Sequence, residues 1–210
     1  MANSKKTNIL DFGIKAFLPR HHEIRKVKRL HAPSFHGFRV WPSSWLLMDF
    51  IKRRGLPQGS RVMDVGCGWG LVGIYCSKNH SATVTCIDID SEVFPYLHLH
   101  AGINNVKVAI MKMGFDDLTE RELKNFDVLI GADICFWDTM VDSLKGLILR
   151  AIRSGIQLVL IADPGRSPFE ELGRYSVENW KGEMWDWDVN HPHRIQGQIL
   201  KISSPTYKCL

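Results

Sequence analysis

Short apolar runs alternate along the chain with longer stretches in which apolar residues recur every three or four positions. Runs rich in Val, Ile and Leu predict five β-strands, over 61–65, 82–87, 106–110, 127–130 and 157–161. The three- and four-residue spacing predicts helices, over roughly 43–54, 69–79, 91–101 and 138–153. Residues 183–188 and 194–202 flank a polar turn, Asn190-His-Pro-His193, and predict a closing hairpin.

Short strands that alternate with helices are typical of a parallel sheet covered by helices on both faces. We therefore predict an α/β fold: a Rossmann-like, doubly wound, mostly parallel sheet of seven strands that ends in an antiparallel hairpin. Right-handed crossovers bring the carboxyl ends of the parallel strands to one edge, where ligands bind. The residues that follow each strand are therefore the first candidates for a functional site.

The positive charge of the chain is concentrated near its beginning. The 210 residues carry a net charge of +5, but residues 1–31 contain eight Lys and Arg against two acidic residues, so that 32–210 carry a net charge of −1. We predict a basic N-terminal arm over 1–35, followed by a single domain over 36–210. The arm could contact an acidic partner or a phosphate backbone, be merely solvated, or act as an organelle address in a eukaryote.

Several classes of protein and site are not expected from this sequence. No apolar run approaches the roughly 18 residues of a membrane-spanning helix, and no secretory leader is evident. The five cysteines form no C-x-x-C pair. His98 and His100 lie two positions apart on a predicted helix and do not share a face, and His191 with His193 lacks two further ligands for a metal site. We expect a cytoplasmic monomer without a bound metal or a membrane association, or a mitochondrial matrix protein in a eukaryote.

A glycine-rich turn, Asp64-Val-Gly-Cys-Gly-Trp-Gly70, connects the first predicted strand to a helix. Glycine lacks Cβ and adopts positive φ, so ligands can approach the backbone closely. The dinucleotide fingerprint is not met, because Leu71 stands where it needs glycine, and no Gly-Lys-Ser/Thr of a P-loop follows. The turn contains no basic residue that could bind a pyrophosphate, whereas Asp64 stands just before its glycines. This pattern favours a ligand with a cationic amine and a carboxylate, the latter received at the helix start.

Asp88 ends the second predicted strand, 22 residues after Gly66. An acidic residue at this place accepts hydrogen bonds from both hydroxyls of an adenosine ribose. An adenosyl ligand without phosphates is S-adenosylmethionine, which we predict as the cofactor.

With these residues the chain resembles the class I (seven-β-strand) S-adenosylmethionine-dependent methyltransferases over about residues 40–203. The resemblance implies a set of cofactor-binding residues: Asp64, Gly66, Gly68, Gly70, Asp88, Ile89 and, before the first helix, Trp41. It also implies an acid after the third strand that faces the adenine, a place matched by Asp116 or Asp117. Either aspartate could instead cap a helix over 118–123.

Three segments resemble one branch of that family, which contains protein-lysine methyltransferases, among them those of the electron-transfer flavoprotein β-subunit, and nicotinamide N-methylase-like proteins. They are Val40-Trp-Pro-Ser-Ser44, Asp133-Ile-Cys-Phe136 and Asp163-Pro-Gly-Arg166. The resemblance implies methyl transfer to a lysine of a protein substrate. Methylation of a small molecule and a non-catalytic cofactor-binding scaffold remain open, whereas nucleic acid is not expected because residues 32–210 have no basic excess.

The chemistry of lysine methylation suggests a role for Asp133. An amine with a pKa near 10.4 costs about 4 kcal/mol to deprotonate near neutral pH, and a nearby carboxylate raises that cost. We therefore expect Asp133 to orient the amine rather than to remove its proton. Phe136 is the second predicted catalytic residue, although a phenylalanine there departs from the tyrosine form of the motif. Trp137, Asp163 and Arg166 are predicted to bind substrate, against the alternatives of core aromatics and a plain tight turn.

Overall fold

The structure is a computed structural model that describes residues 7–34 and 36–205. Lys5 and Lys6 of the predicted basic arm, and Cys209, lie outside the described residues.

A seven-stranded mixed sheet forms the centre of the molecule. The chain first forms a two-stranded hairpin, β1 (Asn8–Asp11) and β2 (Ile14–Phe17), and then the seven strands β3 (Arg61–Val65), β4 (Thr83–Asp88), β5 (Ala109–Lys112), β6 (Val128–Ala132), β7 (Leu158–Asp163), β8 (Glu183–Val189) and β9 (Ile195–Ser203). Their order is β5-β4-β3-β6-β7-β9-β8; the first five are parallel, and β9 is antiparallel to both neighbours. The predicted fold class is confirmed.

Helices cover both faces of this sheet. They are α1 (His22–Leu30), α2 (Ser43–Arg54), α3 (Leu71–His80), α4 (Phe94–Ile103), α5 (Glu120–Leu123), α6 (Thr139–Arg153) and α7 (Ser167–Trp180). Side chains alternate between the faces along a strand. Val62 and Ile130 accordingly pack with residues of α2 to α4, while Met63 and Leu129 pack with residues of α5 to α7. Two apolar cores therefore hold the sheet from opposite sides.

Most predicted elements agree with the structure, and the differences have local causes. The third predicted strand, 106–110, lies two to three residues too early, since β5 is a short exposed edge strand in which apolar and polar residues do not alternate. The helix expected from Ser91 begins with a 3₁₀ turn, Ser91–Val93, which Asp90 caps by accepting a hydrogen bond from the Glu92 N–H. Helix α7 was not predicted.

The N-terminal segment packs against the domain and is not a separate arm. Ile14 and Ile24 are 0% and 1% exposed. The Phe17 N–H donates to Nε2 of His100, and Asn104 bonds both the N–H and the carbonyl of Lys15 at 2.8 Å. The predicted boundary at residue 35 therefore needs correction, because hairpin β1–β2 and helix α1 share the core and the polar groups of α4. Apolar residues interleaved with charges gave little sign of this in the sequence.

None of the helices within the described residues has the length and apolarity needed to cross a membrane. Those residues also contain no cluster of three or more His, Cys, Asp or Glu that could hold a metal ion.

Ile24→Ala and Leu30→Ala provide a test of this packing on one helix. Ile24 is buried, whereas Leu30 is 80% exposed. We expect Ile24→Ala to lower the free energy of unfolding by about 2–5 kcal/mol, and Leu30→Ala to change it by less than about 0.5 kcal/mol. Urea denaturation measures both. A free arm would give two equally small effects.

Candidate functional site

A cavity of about 460 Å³ opens at the carboxyl edge of the parallel strands. This volume lies within the range of small-molecule sites, roughly 300–1,000 Å³. Eight of the predicted site residues line it: Trp41, Gly66, Gly68, Asp88, Ile89, Asp116, Asp133 and Phe136. The structure thus brings together residues that lie up to 95 positions apart in the sequence.

The glycine turn forms one wall of the cavity. Gly66 and Gly68 have φ values of 60° and 52°, in the region that favours glycine. A Cβ on Gly66 would lie 2.6 Å from Cγ2 of Ile134, whereas a Cβ on Gly68 would meet no atom within 4 Å. The backbone at Gly68 is therefore open to a ligand. Gly70 does not line the cavity; it packs against Leu97, 2.7 Å from where its Cβ would be.

The carboxylate of Asp88 is held beside this turn. Its Oδ2 accepts a hydrogen bond from the Gly68 N–H and its Oδ1 from the Asp90 N–H, both at 3.0 Å. Burial raises the pKa of Asp88, and these two N–H groups oppose that rise. Each carboxylate oxygen can accept a further hydrogen bond, so Asp88 can still receive hydroxyls from the cavity.

Asp64 lies behind the turn and does not line the cavity. It is 2% exposed, and its Oδ2 accepts a hydrogen bond from the Gly73 N–H at 3.0 Å. The pKa of Asp64 is raised to about 7, chiefly by burial. The charge of Asp88 also raises it, and the hydrogen bond from the Gly73 N–H opposes the rise. The structure therefore directs this carboxylate into the first turns of α3 rather than toward a ligand, which differs from the predicted cofactor contact.

Both aspartates after β5 also line the cavity, together with Ile89, which is 70% exposed. Asp116 Oδ2 accepts from the Ser143 hydroxyl at 2.8 Å, and Asp117 Oδ2 accepts from the Gly114 N–H at 2.9 Å. Neither aspartate caps α5, because Thr119 is the N-cap residue there. The alternative interpretation of these residues as a helix cap is therefore wrong.

The cavity wall is acidic. Among the described residues that line it, five are aspartates and none is Lys or Arg; the aspartates are Asp88, Asp90, Asp116, Asp117 and Asp133. A wall of this kind attracts cationic groups and repels phosphates.

Asp133 lies on the wall just after β6, 7% exposed and with a φ of 58°. An L-residue other than Gly rarely adopts this left-handed region, although Asp tolerates it better than most. Its Oδ2 accepts a hydrogen bond from the Ser43 N–H at 2.9 Å. Pro42 is the N-cap residue of α2 and has no capping side chain. Asp133 thus supplies from a distant segment the cap that no side chain at the start of α2 provides.

Asp163 and Arg166 lie behind Asp133 and do not line the cavity. Asp163 is fully buried, and its Oδ2 accepts from Nη1 of Arg166 at 2.6 Å. Nη2 of Arg166 donates to Oδ1 of Asp133 at 2.8 Å. Both residues were predicted to bind substrate, but the structure turns them toward each other and toward Asp133.

Aromatic rings form the rim next to Asp133. Phe136 contacts His36 and Trp137, with ring centroids 4.6 and 4.7 Å apart. Trp41 lies 5.5 Å from His36 and carries the guanidinium of Arg39 over its face at 3.9 Å. Trp137, which is 48% exposed, stands outside the cavity lining. These rings can contact a cation that approaches Asp133.

Sequence reasoning missed the lining residues that lie shortly before Trp41 or in the first turns of α6: Ser34, His36, Gly37, Thr139, Met140 and Ser143. Ser34 is fixed there, since its N–H and its hydroxyl both donate to Oδ2 of Asp90, at 2.6 and 2.9 Å. The Nε1–H of Trp69 donates to the carbonyl of Gly37 at 2.8 Å. No motif marks these positions; only their nearness to the Trp41 segment could have suggested them.

Comparisons with known proteins give consistent results. A family model described as "Methyltransferase small domain" matches residues 31–132. The electron transfer flavoprotein beta subunit lysine methyltransferase of Xenopus laevis is 30% identical over 149 residues, 66% of this chain and 60% of that protein. The ubiquinone biosynthesis O-methyltransferase of Neisseria meningitidis serogroup C is 34% identical over 85 residues, 40% of this chain and 36% of that protein. The chain thus spans about 60% or less of the length of these relatives.

Among solved structures, the ribosomal protein L11 methylase of Lactobacillus delbrueckii subsp. bulgaricus superposes with a TM-score of 0.54 at 20% identity. The match covers 75% of this chain and 77% of that one. At this identity the likeness shows a common fold.

Asp64→Asn tests the pH dependence that burial imposes on the folded protein. The pKa of Asp64 is about 7 in the folded state and near 3.9 in an unfolded chain, so the protonated form contributes stability below about pH 4 that is lost as the pH rises through 7. Between pH 5 and pH 8 this loss is about 3 kcal/mol. We expect Asp64→Asn to remove that part of the dependence, because an amide stays neutral and still accepts from Gly73.

Urea denaturation of the wild type and the variant at both pH values measures the difference, and groups common to both proteins cancel. Parallel pH courses would contradict the raised pKa of Asp64.

Proposed function

We propose that the protein transfers a methyl group from S-adenosylmethionine to a lysine side chain of a protein. Residues 31–132 match the methyltransferase small domain model, and the described residues have the class I methyltransferase fold. The family and the fold support S-adenosylmethionine as the cofactor.

One observation carries the proposal: the open glycine turn and Asp88 occupy one part of an acidic cavity, and Asp133 occupies another part of the same cavity. Such a wall suits two cationic partners, a sulfonium donor and an amine acceptor, in a single space. It does not suit a phosphate-bearing ligand, which would meet five aspartates and no basic lining residue among those described.

The residues present fit the donor. Gly66 and Gly68 let the ligand approach the backbone, and Asp88 has free acceptor positions for the ribose hydroxyls. Ile89 and Asp116 line the same cavity, and in this proposal they receive the adenine. When bound, S-adenosylmethionine supplies an electrophilic methyl group on a positively charged sulfur.

Asp133 is the residue that would orient the acceptor. Its two oxygens are fixed by Ser43 and Arg166, and each retains a lone-pair position for an N–H of the incoming amine. A hydrogen bond to a fixed carboxylate aims the amine's lone pair toward the methyl group. Phe136 and Trp41 line the approach and attract the ammonium form by cation–π contact, about 0.5–2 kcal/mol each.

A protein acceptor is supported by the extent of one likeness. The match to a lysine methyltransferase covers 66% of this chain, which is a longer stretch than residues 31–132, the part matched by the methyltransferase small domain model. Helix α1 exposes Arg25, Lys28 and Arg29, and we propose that it docks an acidic surface of the substrate protein. Methylation of a small molecule is the second candidate, because the match to an O-methyltransferase covers 40% of the chain.

Asp88→Ala tests the donor site. Two hydrogen bonds to a charged group, at about 1.5–3 kcal/mol each, imply that the Kd for S-adenosylmethionine rises roughly 100-fold or more. Isothermal titration calorimetry measures the Kd. The control is Asp127→Ala, which removes a half-buried carboxylate that pairs with Arg61 before β6, and which should leave the Kd unchanged. An unchanged affinity in Asp88→Ala would remove Asp88 from the donor site.

The acceptor is tested with S-adenosylmethionine labelled in its methyl group. The protein is incubated with the labelled donor and a cell lysate, which is then separated into protein, RNA and small molecules. We expect label on lysine in the protein fraction. We also expect Asp133→Ala to reduce transfer by roughly 100-fold while the Kd for the donor is retained. Label confined to RNA or to small molecules would overturn the proposal, as would full transfer by Asp133→Ala.

A further inference from the structure

The guanidinium of Arg166 connects the ends of two neighbouring strands. Its Nη1 donates to Asp163, the last residue of β7, at 2.6 Å, and its Nη2 donates to Asp133, just after β6, at 2.8 Å. The other oxygen of Asp133 caps α2 through Ser43. One side chain therefore links β6, β7, α2 and the start of α7.

Arg166 is itself held in place through its backbone. Oδ1 of Asp163 accepts hydrogen bonds from the N–H groups of Gly165 and Arg166, at 3.0 and 2.9 Å. Gly165 has a φ of 92°, which makes the tight turn possible. Asp163 thus fixes both ends of this arginine, and the guanidinium reaches Asp133 from a rigid base.

The charges around this cluster are few. Two buried carboxylates face one guanidinium, so the cluster keeps a single net negative charge. Burial raises the pKa of Asp163, while the Arg166 N–H and guanidinium lower it and Asp133 raises it. Cys135 faces Asp163 and Arg166, but burial raises the pKa of its thiol to about 12, so it stays neutral. Glu171 of α7 and Asp138 before α6 are the other acidic groups that act on Cys135 from nearby elements.

We propose that Arg166 is a positioning residue for the reaction: it fixes the carboxylate of Asp133 against the start of α2 and offsets part of the negative charge that the acceptor amine meets. This inference rests on the proposed function, in which Asp133 receives the amine. It differs from the contact with substrate that the sequence predicted for Arg166, since the guanidinium acts through Asp133.

The offset charge has a chemical consequence for the amine. A carboxylate close to an amine raises the amine's pKa and so favours the protonated form, which has no lone pair for the methyl group. A guanidinium bound to the same carboxylate reduces that effect. Without Arg166 neither Asp133 nor Asp163 behind it would be compensated, and a smaller fraction of the amine would be reactive near neutral pH.

Hydrogen exchange at the Ser43 amide tests the positioning without any acceptor. In Arg166→Gln the carboxylate of Asp133 loses a charge-assisted hydrogen bond, and we expect the Ser43 amide to exchange about tenfold faster or more relative to the Ile130 amide of β6. The ratio removes any global loss of stability. The matched control is Arg61→Gln, which breaks a 2.7 Å ion pair with Asp127 far from the cavity. An equal ratio in the wild type, Arg166→Gln and Arg61→Gln would overturn the positioning role.

The pH dependence of methyl transfer tests the charge effect, with the lysate proteins labelled by the wild type as acceptors. We expect the acid limb of the profile to move up by about one pH unit or more in Arg166→Gln and to stay in place in Arg61→Gln. Arg166→Lys keeps the charge but not the two-pronged geometry, so its limb should stay while its rate falls. A uniform loss of rate without a shift in Arg166→Gln would overturn the charge effect.

The two tests separate this inference from the function on which it rests. If the wild type labels no protein, the proposed function fails, and the exchange ratio still decides whether Arg166 positions Asp133. If Arg166→Gln does not fold, Arg166→Lys gives the same exchange comparison.

Discussion

A carboxylate that is removed from water must find donors within the protein, and the candidate site is organised around that requirement at Asp133. The first N–H of α2 and the guanidinium of Arg166 satisfy it. Because these donors belong to a helix before the sheet and to a turn after β7, satisfying one carboxylate fixes several elements at once. The cavity wall is held by several elements at the point where the proposed acceptor would bind.

The chain separates its charges in space. It carries a net charge of +5, yet its cavity is lined by five aspartates and by no basic residue among those described. The exposed basic residues of α1 lie outside the cavity. Such a distribution can attract an acidic protein surface to the outside and a cationic side chain to the inside. Net charge alone would have suggested a nucleic-acid partner, which the cavity argues against.

The fold could be predicted well because both of its periodicities are visible in the sequence. Helix α2 and strand β3 begin and end where the apolar pattern and Gly55 indicate. The site was predicted in part, because residues after parallel strands must meet at one edge. What could not be predicted was the direction of side chains: Asp64 and Asp88 both follow apolar runs, but only Asp88 faces the cavity.

The sequence by itself determined the sheet, the open turn and the aspartate that ends β4, because periodicity, missing Cβ atoms and strand ends are local properties. Only the tertiary structure decided that residues 8–30 join the core, that Asp133 caps a helix 90 positions earlier, and that Arg166 bridges two carboxylates. Except for the Asp163–Arg166 pair, these are contacts between segments far apart in the chain. Which donor satisfies a buried acceptor depends on what folding brings beside it, and no local pattern contains that information.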